Sequence, residues 1–254
     1  MTHRDLRFSL LGCVFEIRES PAAVWRSIQD RLPPVEIADP AVVPIRRYSV
    51  VAEGERFIVT RARRQAAGAS SVASAAELVV DDVEVSLSRA IEGRILVHSG
   101  AVAWRGRAIL LPGRSGSGKS ELVAALVRAG AEYLSDEFAV LDREGKVHPY
   151  QRPLALRRPS GTTRVAVETD ASGMGALPVG GLAFLRHRAA SDWRPRPISS
   201  GAALLGLLRN TLSCRYRLDD ARPILRRVVA SASAIAGDRP DADEAAARLL
   251  EATF

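Results

Sequence analysis

The stretch from Ala108 to Ala129 constrains the chain more than any other: an apolar run, AILLP, leads into GRSGSGKS, and a helix-forming segment leads out of it. Gly113, Gly118, Lys119 and Ser120 satisfy G-x-x-x-x-G-K-[ST], a pattern that is credible where it joins a strand to a helix. Each residue type has a physical role. Glycines let successive backbone N–H groups close around an anion, the following helix points its positive end at it, and a lysine adds a point charge. On this reading Gly113, Arg114, Ser115, Gly116, Ser117, Gly118, Lys119, Ser120 and Glu121 make a nucleotide-binding loop. Lys119 then reaches the β and γ phosphates of ATP, and Ser120 ligates Mg²⁺. An ordinary glycine-rich turn is the bland alternative.

The flanking segments suit that context. Ala101–Trp104 and Ala108–Leu111 are expected to form a hairpin around Arg105-Gly106 whose second strand runs into the loop. The helix after it, Ser120–Ala129, places Leu122, Leu126 and Val127 on one face and ends near Gly130. Strands are expected over 7–18, 48–52, 57–60, 138–141 and 182–185, and helices over 21–32, 76–91, 202–212 and 241–252. The small, polar stretch 64–74 reads as a loop or a domain join. The predicted organisation is an N-terminal α+β module over residues 1–75 and an α/β catalytic domain over 76–254.

Phosphoryl transfer also needs carboxylates, and Leu134-Ser135-Asp136-Glu137 follows the loop helix closely. In P-loop enzymes one such acid holds Mg²⁺ and a neighbour takes the proton of the attacking hydroxyl. Asp136 is expected as the base, with Glu137 and Asp136 both metal candidates; a solvated acidic turn is the competing reading. His98, in HSGAVAW, returns to the phosphate site if its strand pairs with the one entering the loop, although a lone histidine among apolar residues is often a core residue. His148 and His187 have weaker claims. Arg152 and Arg157, around Leu154–Pro159, are placed to neutralise phosphate charge, or are plain surface arginines.

Composition narrows the function classes. The chain has 254 residues with a formal net charge of +7, almost all from arginine, since lysines such as Lys119 and Lys146 are few. A basic surface attracts ATP, acidic peptides or nucleic acid, but no aromatic–basic interleaving, zinc spacing or helix-turn-helix signature supports nucleic acid. No apolar run reaches the ~20 residues of a membrane span, and no signal peptide is legible, so a cytoplasmic location without a membrane partner is expected. Cys13 and Cys214 lack metal or redox spacing and read as free thiols.

The order of these motifs resembles the catalytic domain of bacterial HPr kinase/phosphorylase, a kinase group related in fold to phosphoenolpyruvate carboxykinase. The resemblance covers roughly residues 98–157: the histidine of HSGAVAW, the loop GRSGSGKSE and the acidic pair of YLSDEFAVL. It implies a P-loop kinase core with His98 at the phosphate, Lys119 and Ser120 on ATP and magnesium, and Asp136 and Glu137 as base and metal contact. The family carries two aspartates where this chain has Asp136-Glu137, and its glycine-containing signature after the acidic pair is missing here. Dephosphorylation and a carrier-protein substrate are therefore not implied. FLRHR at 184–188 and LLGLLRNTL at 204–212 look like a divergent branch, some of whose members phosphorylate the precursor of a lasso peptide on a C-terminal serine. The expected partner is a peptide or small protein with an acceptor serine, with the family's oligomers suggesting self-association. A metabolite kinase, an ATP hydrolase and a nucleotide sensor are the rival readings.

Overall fold

Two tight turns of one kind shape the chain in the computed structural model, which describes residues 2–61, 64–158, 161–167, 174–188 and 191–252. Leu11 and Gly12 have φ of 51° and 81°, and Arg105 and Gly106 have φ of 52° and 75°. Positive φ at both central residues is the type I′ turn, whose twist matches that of paired strands. The first turn divides the strand expected over 7–18 into β1 (Thr2–Leu10) and β2 (Cys13–Pro21). That turn is hidden in the sequence because Gly12 sits inside an apolar run, without the polar residues that usually mark a loop.

The described chain is mixed α/β and separates into two units, Met1–Glu92 and Gly93–Phe254. In the first, β1 and β2 are followed by α1 (Ala22–Gln29), β3 (Glu36–Ile37), β4 (Arg46–Glu53), β5 (Arg56–Arg61), β6 (Arg64–Ala69) and α2 (Val72–Ala90). The six strands form one sheet in the order β3-β1-β2-β4-β5-β6. Phe8, Phe15, Ile17, Tyr48, Val50 and Val59 are among its buried residues, with Phe8 against Phe15 and Trp25. Helix α2 presents Ala75, Val79, Val83 and Leu87, at helical spacing, to the core. It starts where Ser71 and Ser74 cap each other through side chain and backbone. The stretch 64–74, expected as a loop or join, thus holds a strand and a helix start; its alanines and glycine carry little strand signal. The boundary expected at 75/76 would cut α2, and the units divide at Glu92/Gly93 instead.

The second unit begins with β7 (Arg94–Trp104) and β8 (Arg107–Pro112), joined by the Arg105-Gly106 turn as expected. Then come α3 (Lys119–Arg128), β9 (Glu132–Ser135), β10 (Phe138–Asp142), β11 (Lys146–His148), β12 (Leu154–Arg158), β13 (Gly161–Val165) and β14 (Leu177–His187). The unit ends with β15 (Arg196–Pro197), α4 (Ser200–Asn210), a 3₁₀ turn at Leu212–Arg215, α5 (Leu218–Ser231), β16 (Ser233–Arg239) and α6 (Ala242–Glu251). Eight strands make one mixed sheet, while β12 and β13 pair separately. Strands β8, β14 and β16 run parallel, and β7 lies antiparallel to β8. Because β11 pairs with both β10 and β14, the succession β7-β8-β14-β11-β10 closes on itself.

Strand β8 is buried on both faces, which is why it reads as a continuous apolar run. Ala108 and Leu110 join the cluster of Leu182, Leu207 and Leu225, whereas Ile109 and Leu111 join Leu122, Leu126 and Leu249. So α4 and α5 line one core and α3 and α6 the other, and β8 carries the loop between them. Gly100 on β7 permits the close approach of α3, because a Cβ there would lie 2.6 Å from Val123 Cγ2. Among the described residues no helix is long and apolar enough to cross a membrane. Neither cysteine forms a disulfide among the described residues; Cys13 is buried and Cys214 half-buried.

Candidate functional site

Strand β8 delivers the chain at Pro112 to an open loop that ends in Gly118, the N-cap of α3, at φ 81°. A left-handed φ is routine only for glycine. The loop exposes Arg114, Ser115 and Gly116 and half-buries Gly113, Ser117, Gly118, Lys119 and Ser120. Lys119 Nζ folds back to donate to the carbonyls of Gly113 (2.8 Å) and Arg114 (3.0 Å). Ser117 Oγ is shut off from solvent with no hydrogen-bond partner among the described residues. A buried hydroxyl without a partner is costly, and beside a helix start, whose first N–H groups have no acceptor within the helix, it suits an oxyanion. The loop's composition and geometry therefore fit a phosphate group.

Strand β7 brings the other half of the site to the loop. Phe138 pairs with His98 across the β7–β10 ladder, Ala101 pairs with Ser135, and Ser99 N donates to Glu137 O at 2.9 Å. Ser135 Oγ accepts from the backbone N–H of Glu137 (3.3 Å) and Phe138 (3.2 Å), fixing the turn that carries Asp136 and Glu137. The two acids then diverge. Asp136 is 1% exposed. Its Oδ2 accepts from Ser120 Oγ at 3.3 Å and Ala155 N at 3.1 Å, and its Oδ1 faces Tyr133 OH at 3.3 Å and Arg152 Nε at 3.4 Å. Glu137 keeps 32% of its side chain exposed, with Oε1 3.2 Å from His98 Nε2 and Oε2 2.9 Å from Arg152 Nη2.

Burial works to raise the Glu137 pKa, but the His98 hydrogen bond and the charges of Arg152, His98 and Lys119 outweigh it and hold the carboxyl below its ordinary value. Tyr133 is pushed well above the ordinary phenol range, first by burial and then by the Asp136 charge beside it, so its hydroxyl stays protonated as a donor.

His98, Lys119, Ser120, Asp136, Glu137 and Arg152 thus come together around the loop. Among the described residues no group of three or more His, Cys, Asp or Glu gathers to hold a metal. Mg²⁺ does not require one, since it takes one or two protein oxygens and completes its shell with water and phosphate; the Ser120 hydroxyl against the Asp136 carboxylate is such a pair. His148 is directed elsewhere, 2.9 Å from Asp142 Oδ2. The side chain of Arg157, and Pro159, lie outside the described residues. His187, whose claim from sequence is weak, has its Cβ 3.6 Å from where a Cβ on Gly118 would lie, and Arg239, not singled out from the sequence, bonds to Gly118 O. No local motif marks either. Glu121 opens the first turn of α3 and acts electrostatically on Arg239. No protein-family model and no curated protein matches the chain.

Proposed function

We propose that the C-terminal unit is an ATP-dependent kinase core of the HPr kinase-like type, which transfers the γ-phosphate to a serine-type hydroxyl of a peptide or small protein. The observation that carries this reading is the contact between the loop and the acidic pair: Ser120 Oγ lies 3.3 Å from Asp136 Oδ2. A glycine-rich turn needs no such partner, whereas a triphosphate with its cation does.

In this mechanism the N–H groups of the loop and of the first turn of α3 bind the β and γ phosphates, and Lys119 exchanges its two loop carbonyls for phosphate oxygens. Ser120 and Asp136 are the residues to hold Mg²⁺, which when bound neutralises charge on the transferring phosphoryl group. Glu137, rather than the expected Asp136, accepts the acceptor's proton. Asp136 is enclosed, with Ser120, Ala155 and Arg152 engaging both of its oxygens, while Glu137 remains partly open. The lowered pKa of Glu137 keeps it ionised at neutral pH. In a loose transition state the proton leaves late, so orientation by His98 and Arg152 matters more than basicity.

The resemblance supports a C-terminal serine of a lasso peptide precursor as the acceptor to try first. Incubating the full chain with γ-labelled ATP, Mg²⁺, HPr, a serine-ended lasso precursor and free serine tests this. Label in the peptide is the expected result, and label in HPr would keep the kinase reading but move the acceptor to a carrier protein. Label in free serine would replace the peptide reading with a metabolite kinase, release as free phosphate alone would replace it with a hydrolase, and no turnover would leave a sensor.

A further inference from the structure

Arg239, the last residue of β16, is 1% exposed and is the bulkiest of the fully buried side chains. Both of its hydrogen bonds go to backbone carbonyls: Nη1 donates to Pro240 O at 2.9 Å and Nη2 to Gly118 O at 2.9 Å. Burial acts against its charge, and Glu121 and Asp241 favour that charge electrostatically without forming an ion pair with it among the described residues. A buried guanidinium held only by carbonyls is an expensive arrangement for a structural role.

The place where it bonds is informative. Gly118 O also accepts the first helical hydrogen bond of α3, from Leu122 N at 3.1 Å, so Arg239 fills the second acceptor position of that carbonyl. The carbonyl of Gly118 and the N–H of Lys119 belong to one rigid peptide unit. Fixing and polarising the carbonyl therefore fixes and strengthens the opposite N–H as a donor, because hydrogen bonds in a chain reinforce one another. That N–H is the first of α3, directly after the loop in which Ser117 Oγ has no hydrogen-bond partner among the described residues. The contact is tight: a Cβ on Gly118 would fall 2.5 Å from Arg239 Nη2.

We infer that Arg239 is a positioning residue for anion capture: from behind the loop it locks the Gly118–Lys119 peptide with its N–H aimed at a bound phosphate, and its charge is balanced by that phosphate. This rests on the reading of the loop as a phosphate site. It assigns to β16, the strand most distant in sequence from the loop within this unit, a direct part in binding polyphosphate.

The test uses the full chain, magnesium-free titration with inorganic tripolyphosphate, and the variants Arg239→Gln and Arg239→Lys, with thermal melting of each unliganded protein as the control on folding. A charge-assisted hydrogen bond acting at the site predicts a loss of about tenfold or more in affinity for Arg239→Gln and a smaller loss for Arg239→Lys. The ¹⁵N–¹H resonance of Lys119 should move strongly on titration of the wild type and less in the variants, a response that a purely structural role would not alter. Wild-type affinity in Arg239→Gln overturns the inference while leaving the phosphate loop intact. Failure of the wild type to bind tripolyphosphate overturns the loop reading and the inference with it. Should Arg239→Gln not fold, Arg239→Lys decides alone: a several-fold loss with a damped Lys119 shift supports the inference, and unchanged affinity overturns it.

Discussion

Replacing each acid of the pair by its amide should separate them by stability, before any catalysis is measured. In Asp136→Asn one carboxylate oxygen becomes an NH₂ donor inside a fully enclosed site. If the NH₂ takes the Oδ2 position it meets the Ala155 N–H, and in the Oδ1 position it meets the Arg152 Nε–H; neither neighbour can turn acceptor. Ser120 and Tyr133 can rotate their hydroxyls, so either orientation leaves one buried donor unsatisfied and weakens the arginine's charge pairing. An orphaned buried donor costs about 1–3 kcal/mol, more beside a charge, so a loss of ~2–3 kcal/mol is expected. For a unit of this size that lowers the melting temperature by about 4–12 °C. Glu137→Gln behaves differently, because its side chain is 32% exposed and an amide can accept from Arg152 while donating to a neutral His98. Its cost should stay under ~1 kcal/mol. Calorimetry of both variants without nucleotide or magnesium at neutral pH is the assay. An Asp136→Asn protein melting within about 1 °C of wild type, or one no less stable than Glu137→Gln, would refute the enclosure argument and with it the exchange of roles between the two acids.

Other consequences can be measured alongside. The folded-state pKa of Glu137 lies below the ordinary 4.5, so the stability it contributes is fully present above pH 4.5 and is lost as pH falls through the lower folded value. If Glu137 is the base, the acid limb of kcat lies below 4.5 as well, and His98→Ala, by removing the leading stabiliser of the ionised form, shifts that limb upward; an unmoved limb in the variant counts against Glu137. Gly118→Ala meets both a φ of 81° and Arg239 Nη2 at 2.5 Å, so it should abolish tripolyphosphate binding and cost about 1–3 kcal/mol of stability. Normal binding by that variant would mean the loop tolerates another backbone shape. Gly100→Ala drives a methyl into Val123 and should cost ~1–3 kcal/mol by displacing α3, read as a lower melting temperature with weakened nucleotide binding; a neutral result would show the β7–α3 contact to be loose.

The parts of the fold that were legible are those whose signals are local. Strand β8 is buried on both faces, so its whole run is apolar, and Arg105-Gly106 supplies the residues that a type I′ turn favours. Helix α3 shows its buried Leu122 and Leu126 at helical spacing. Elements set by their partners were not legible. Helix α5 carries Pro223 inside it and Arg226-Arg227 on its surface, which obscure a core face made of Ala221, Ile224, Leu225 and Val228. Strand β16 alternates only weakly, because most of its residues are half-buried between β14 and β15.

The site divides along the same line. The loop announces itself because one contiguous segment must supply glycines, lysine and hydroxyl together, and the acidic pair is conspicuous because two adjacent carboxylates are unusual between apolar strands. Their division of labour lies in tertiary contacts. Adjacent residues at a turn point in different directions, and which acid is enclosed depends on Tyr133, Arg152 and Ala155, none of which has a motif of its own. Arg239 is the extreme case, 121 positions from the carbonyl it holds. Parallel pairing of β14 with β8 and β16 sets the carboxyl ends of all three strands beside the loop. A residue ending β16 is therefore a neighbour of the glycine-rich loop by topology alone. Once the strand order is known, the end of each parallel strand is the place to look for groups that act on the loop, and His187 and Arg239, opposite each other in the β14–β16 register, occupy those ends.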